Sequence, residues 1–189
     1  MKTKTIVLAA IVFFCSFLSL SVQAFEVKNR LSLRINPIGL VGAVFSGDVM
    51  LKVWPQVAVG PVFAYQDFDF SGASSKLLGT GMRIEWYFDE ALQNGGYVGL
   101  LSTYAQTENS ITEQAKRYSR AGRDLRIVGM IGYLWRWDNV TFNLGIGGGY
   151  TSFGNPDLIA DDGAVFDMPI KFPDSHVAVN MDISLGWVF

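Results

Sequence analysis

Thiols, histidines and long apolar runs are scarce in this sequence. It holds one cysteine, Cys15, and one histidine, His176, in 189 residues. Cys15 lies in an N-terminal stretch that reads as a targeting segment. Lys2 and Lys4 start it, an apolar run over 6–20 follows, and Val22 and Ala24 occupy the small-residue positions of a processing site. Residues 1–24 are expected to be removed, so that the mature chain starts at Phe25 and has no thiol. That excludes disulfides, thiolate catalysis and cysteine metal sites. Phe13 and Phe14 ahead of Cys15 do not suit a lipidation site. The run also falls short of the roughly 20 apolar residues that a helical span needs.

A strong charge of one sign is missing too. The formal net charge is −2, so no field for nucleic acid is implied. Beyond the leader no stretch reaches helical-span length, although 50% of the residues are hydrophobic, 14% are aromatic and 20 are glycine. A chain this apolar must therefore distribute its apolar residues by alternation, as membrane β-barrels do.

The alternation is plain at the C-terminus. Val177, Val179, Met181, Ile183, Leu185, Trp187 and Phe189 fall at every second position, with Ala178, Asn180, Asp182, Ser184, Gly186 and Val188 between them. Residues 140–151 repeat it. Val140, Phe142, Leu144, Ile146 and Tyr150 share one face, and Thr141, Asn143, Gly145, Gly147, Gly149 and Thr151 the other. That second face is polar and small, which suits the inside of a narrow barrel. Further strands are expected over 77–88, 125–136 and 57–66, and weaker ones over 28–36, 43–53 and 96–106. The total is eight. Pro61 lacks an N–H and predicts a bulge in its strand. Short connections at 37–42, 54–56, 89–95 and 137–139 contrast with longer or polar ones at 68–76, 108–123 and 152–175. All five tryptophans, Trp54, Trp86, Trp135, Trp137 and Trp187, lie beside a short turn or the C-terminus. Indole favours a headgroup boundary, so they predict one half of an aromatic girdle.

Residues 25–189 predict an all-β, up-and-down, eight-stranded antiparallel transmembrane barrel. On these features the chain resembles the small outer-membrane barrels typified by the OmpA transmembrane domain, OmpX and the opacity proteins. The sharpest shared motif is the last strand, with Ile183, Leu185, Trp187 and the terminal Phe189. The resemblance implies the bacterial outer membrane, with that strand read by the barrel-assembly machinery during biogenesis.

Candidate chemistry is sparse. Eight strands are too few for a wide pore, because side chains fill the interior. Arg34, Asp48, Lys52, Arg83, Glu85 and Asp182 are expected inside, beside Asn143 and Asn180. Buried charges must pair, so an ion-pair network is expected, with a narrow ion path as the alternative. An outer-leaflet lipid-modifying hydrolase of the lipid A deacylase kind would draw on His176. The sequence around it lacks that family's H-x-S pattern, and the adjacent Ser175 points to the opposite face of a strand. No catalysis, metal or cofactor is expected. The loop 108–123 carries Lys116, Arg117, Arg120 and Arg123, and the loop 152–175 carries Asp157, Asp161, Asp162, Asp167 and Asp174. The acidic loop lacks calcium-loop spacing. The two loops are expected to lean together, leaving basic side chains for lipopolysaccharide phosphates or a host surface. A soluble lipocalin-like binder would need its large apolar residues inside, against the pattern found.

Overall fold

The computed structural model describes residues 30–38, 44–70, 72–113, 116–153, 159–160 and 175–189. The leader 1–24 and the acidic residues of 154–174 lie outside them. The strands are β1 (Leu31–Ile35), β2 (Val44–Trp54), β3 (Val57–Phe70), β4 (Ala73–Tyr87), β5 (Gly95–Glu113), β6 (Lys116–Trp137), β7 (Val140–Phe153), β8 (Ile159–Ala160) and β9 (Ser175–Val188). Each long strand pairs antiparallel with its sequence neighbour. β9 returns to β1, with Leu33 opposite Trp187. The result is a closed eight-stranded antiparallel barrel. The two-residue β8 adds to β6 beyond the end of the β6–β7 ladder.

Alternation decides which side chains go in. Along β7, Thr141, Asn143 and Gly145 are buried, while Leu144, Ile146 and Tyr150 are exposed. Along β9, Asn180, Ser184 and Val188 are buried, while Val177 and Val179 remain 82% and 81% exposed. The strand over 95–113, which has no clean apolar face in the sequence, points Tyr97 and Thr107 inward and Val98, Leu100 and Tyr104 outward.

The tryptophans gather at one end of the barrel. Val57 stands opposite Trp54 on one side and Trp86 on the other, and Val140 lies between Trp137 and Trp187. Trp135 packs against Tyr133 and Phe142, with ring centroids 4.7 and 5.6 Å away. This is the turn end. Pro55–Gln56 and Asp138–Asn139 make two-residue reversals there, and Asp138 takes the left-handed conformation at φ 53°. Short polar side chains tolerate that region best after glycine.

Two expected loops are strands instead. β3 and β4 pair up to Phe70 and Ala73, with Gly72 at φ 82° in the turn, so 68–76 is a tight hairpin. β5 and β6 pair up to Glu113 and Lys116, so 108–123 is a hairpin as well. The polar composition that suggested loops reflects ribbons with no apolar face to bury. β6 meets β7 only up to Asp124, so its first eight residues stand clear of β7 by about 25 Å of strand. Strands β3 to β6 thus rise as a wall on one side of the rim, with β8 on its edge. The bulge expected at Pro61 lies elsewhere. The β2–β3 ladder passes over Val49 and Met50, opposite Gly60 and Pro61, then resumes in the same register, and the shift falls between Lys52 and Trp54. A skipped ladder pair is enough to accommodate the missing N–H.

The turn-end half of the lumen is filled. Met50, Ala58, Tyr87, Tyr97, Leu134 and Val188 are fully buried there. The 88–94 turn adds Ala91 and Leu92, with the Ala91 N–H donating to the Pro55 carbonyl at 2.7 Å. Tyr97 fits because its neighbours lack side chains. A Cβ at Gly132 would lie 2.5 Å from Tyr97 Cζ and 2.7 Å from the Leu144 carbonyl oxygen, and one at Gly145 would lie 2.8 Å from Tyr97 Oη. Gly132→Ala should therefore destabilise the barrel by about 1–3 kcal/mol through overpacking. Gly148→Ala, which meets nothing within 4 Å, is the control. Matching urea midpoints for the two variants would contradict this packing.

Candidate functional site in the lumen

Above the apolar plug lies a layer of charge. Arg34 is wholly buried. Its Nε donates to Asp48 Oδ1 at 2.6 Å, and Nη1 and Nη2 donate to the two oxygens of Glu85 at 3.1 and 3.0 Å. This two-pronged match fixes both planes. Arg83 Nη1 reaches Asp182 at 2.7 Å, Asp48 at 3.3 Å and Glu85 at 3.4 Å. Neutral donors complete the shell. Tyr87 Oη donates to Glu85 at 2.7 Å, and Asn143 Nδ2 donates to Asp182 at 2.9 Å.

Five strands supply the layer, and the pleat explains how. Arg83, Glu85 and Tyr87 are alternate residues of β4, so all three point inward. Arg34 sits opposite Asp48 in the β1–β2 register, and Asp182 reaches across from β9. Two arginines meet three carboxylates. Asp182, on the open side of the layer, is the most exposed of the three acids at 11%.

Lys52 does not join them. Four residues along β2 from Asp48 carry it about 13 Å toward the turn end. There it pairs with Glu90, whose side chain is 57% exposed. Expected inside the network, it belongs to the rim.

Beyond the ion pairs the lumen opens into a cavity of about 490 Å³. Its floor is Arg34, Asp48, Arg83 and Asp182, and much of its wall is apolar, including Val44, Val62, Ala64, Leu77, Leu101 and Met130. Arg126 on β6 points into it. The Arg126 Nε is buried without a hydrogen-bond partner, and no carboxylate of the described residues pairs with this guanidinium. The sequence alone does not single out Arg126. Its parity with the buried Val128 and Met130 was the available signal.

The four basic residues of 108–123 do not form one patch. Arg117 and Arg123 are exposed on the face that continues the barrel exterior, and Arg117 donates to Ser110 Oγ at 3.2 Å. Arg120 lies on the other face and pairs with Asp124 at 3.3 Å. Lys116 stands opposite Glu113 at the hairpin tip. A hairpin sends neighbouring residues to opposite faces, whereas a loop would not. The acidic partners expected in 154–174 lie outside the described residues. His176 stands opposite Thr151 in the β7–β9 ladder.

At the C-terminus Leu185, Trp187 and Phe189 are exposed on the outer wall, and Ile183 shares their face. The Phe189 N–H donates to the Leu31 carbonyl at 2.8 Å, and the Phe189 carbonyl accepts from Arg30 at 3.0 Å. The last residue is thus stitched to the first strand at the closure of the barrel.

No family model matches this chain, and no curated protein matches it. Among solved structures it is similar to the crystal structure of Acinetobacter baumannii CarO2, at 9% identity and a TM-score of 0.35. That match covers 85% of this chain and 97% of the other. The barrel assignment rests on the strand pairing, not on this likeness.

Proposed function

We propose that this protein is a non-enzymatic integral protein of the bacterial outer membrane, of the OmpA, OmpX and opacity type, with a side-chain-filled barrel and a binding surface on its projecting hairpins. One observation carries the membrane reading. The outward positions of all eight strands, from the tryptophan end up to Tyr65, Leu78, Tyr104, Leu125 and Tyr150, include no charged residue. From Val140 to Tyr150, at about 3.3 Å per residue and a tilt of about 40°, the band is about 25 Å tall, the height of a lipid-facing belt. Charge resumes just above it, at Asp67, Lys76, Glu108 and Arg123. A water-soluble barrel would have no reason to keep so large a continuous apolar exterior.

The plugged lumen favours a structural or surface-binding role over an ion path. Apolar side chains and paired charges occupy the turn-end half, where an ion would have to pass. The exposed Arg117 and Arg123 are the basic groups best placed for phosphates of lipopolysaccharide or an anionic host ligand. Converting both to glutamine should leave folding intact and weaken that attachment, with the loss fading as salt is raised. Salt-independent binding, or unchanged binding by the variant, would count against the hairpin as the contact surface.

The biogenesis part of the proposal has its own test. Outer-membrane fractions are assayed for heat-modifiable migration with and without Phe189. Its deletion removes the outward ring and the backbone bonds to Arg30 and Leu31, so less folded barrel is expected in the fraction. Undiminished folded barrel in the fraction would argue against Phe189 as part of the signal to the assembly machinery. The hydrolase alternative is tested in the same strain. His176→Ala should leave the lipid A mass profile unchanged, and a changed profile would overturn the non-enzymatic reading.

A further inference from the structure

We propose that the cavity above the ion-pair layer is a binding site for a monoanionic amphiphile, a carboxylate on a short aliphatic chain, with Arg126 holding the head. An arginine side chain directed into a largely apolar cavity has lost part of its hydration, and among the described residues nothing repays that loss. Every other charged side chain on the cavity wall has a partner. Arg34, Arg83, Asp48 and Asp182 pair within the layer, and Asp124 pairs with Arg120. Arg83 also keeps an unpartnered Nε, but its Nη1 is held by carboxylates; among the described residues of the wall, Arg126 is the cation that no carboxylate pairs.

The rest of the cavity selects what the anion is attached to. On the floor the two arginines are already engaged by three carboxylates, which leaves that layer less receptive to a further anionic group than the Arg126 side. The head is therefore held at the β6 wall. In the ring of strands β2 stands diametrically opposite β6. There and on the adjoining β3, Val44, Val62 and Ala64 offer apolar surface to a tail crossing the lumen. A volume of about 490 Å³ lies within the range of small-molecule sites, about 300–1,000 Å³. A planar guanidinium also suits a carboxylate better than an ammonium would. The site takes a ligand from the hairpin side, because the plug of Tyr87, Tyr97, Leu92 and Leu134 closes the other end.

This inference rests on the membrane reading only for the medium in which it is tested. Full-length mature protein is reconstituted into nanodiscs of zwitterionic lipid, and recovery of heat-modifiable barrel in the discs checks that reading by itself. Octanoate carrying a 13C-labelled carboxyl is then titrated, with empty discs as the partition control. The expected result is one saturable site per barrel with a shifted carboxyl resonance. Arg126→Gln should weaken it by about tenfold or more, the scale of a lost charge-assisted hydrogen bond. Arg126→Lys should retain most of the affinity. Octanol should bind about tenfold more weakly than octanoate, on the same scale. Ala64→Trp, which fills the tail region and leaves the arginine in place, should also abolish saturable binding. Binding no greater than in empty discs overturns the proposal, as does full affinity in both Arg126→Gln and Ala64→Trp. Loss in Ala64→Trp alone overturns the assignment of the head to Arg126.

Discussion

Arg34→Leu should cost the barrel about 3–5 kcal/mol, the scale for breaking a buried ion pair by removing one partner. Arg34 is wholly buried and meets Glu85 with two nitrogens and Asp48 with a third. Leucine fills much of the space but removes the main partner of two carboxylates that are almost wholly buried. Glu85 would keep its contacts with Tyr87 and Arg83, and Asp48 only its contact with Arg83 at 3.3 Å. Urea unfolding in lipid vesicles reads the loss. The double variant Arg34→Leu with Glu85→Leu should recover a good part of it, because the cost of an unpaired buried charge exceeds the net worth of the pair. Arg83→Leu should be destabilising as well, by several kcal/mol, since Asp182 then keeps only Asn143. Thr80→Leu, on the outer face of the same strand, should be neutral or better. A parental urea midpoint for Arg34→Leu would mean that the layer contributes nothing to stability.

The barrel was legible because one physical constraint writes itself into every strand. A closed sheet between an apolar exterior and a narrow lumen forces a period of two, and β7 and β9 carry it almost without exception. The faces of Arg83 and Glu85 follow from that period alone. What the period does not carry is where pairing ends. Above the apolar band the outward positions turn polar, with Ser110 and Thr112 on β5 facing Ser119 and Arg117 on β6, so the segment reads as a loop. The hydrogen-bond ladder continues all the same, because strand pairing needs backbone rather than an apolar face. That one misreading scattered the basic patch, since residues pooled in a loop are sorted by the pleat of a hairpin. Lys52 failed for a related reason. Parity placed it inward correctly, but parity says nothing of height, and four residues carried it to the rim and Glu90. Arg126 was missed because an inward cation at an unremarkable position has no sequence signature until its neighbours are known to be apolar or already paired.

Ile146→Arg should separate a lipid-facing wall from a merely apolar one. Ile146 lies midway along β7, opposite Ile131 and Met181, and all three are more than half exposed. If that surface meets hydrocarbon, an arginine near the midplane costs about 2–4 kcal/mol, falling to about 0–1 kcal/mol near the interface. Val177→Arg supplies the second arm, because Val177 stands opposite Tyr150 at the upper edge of the band. The two substitutions make the same chemical change on the same face, at sites that are both open to the surroundings. In water they would have equal and small effects, since an exposed isoleucine or valine gains nothing by staying apolar. In a bilayer they diverge, because the cost depends on depth. Folding into vesicles under a urea gradient should therefore show a large loss for Ile146→Arg and little for Val177→Arg. Equal midpoints would remove the lipid band, and with it the outer-membrane reading, while leaving the closed barrel untouched.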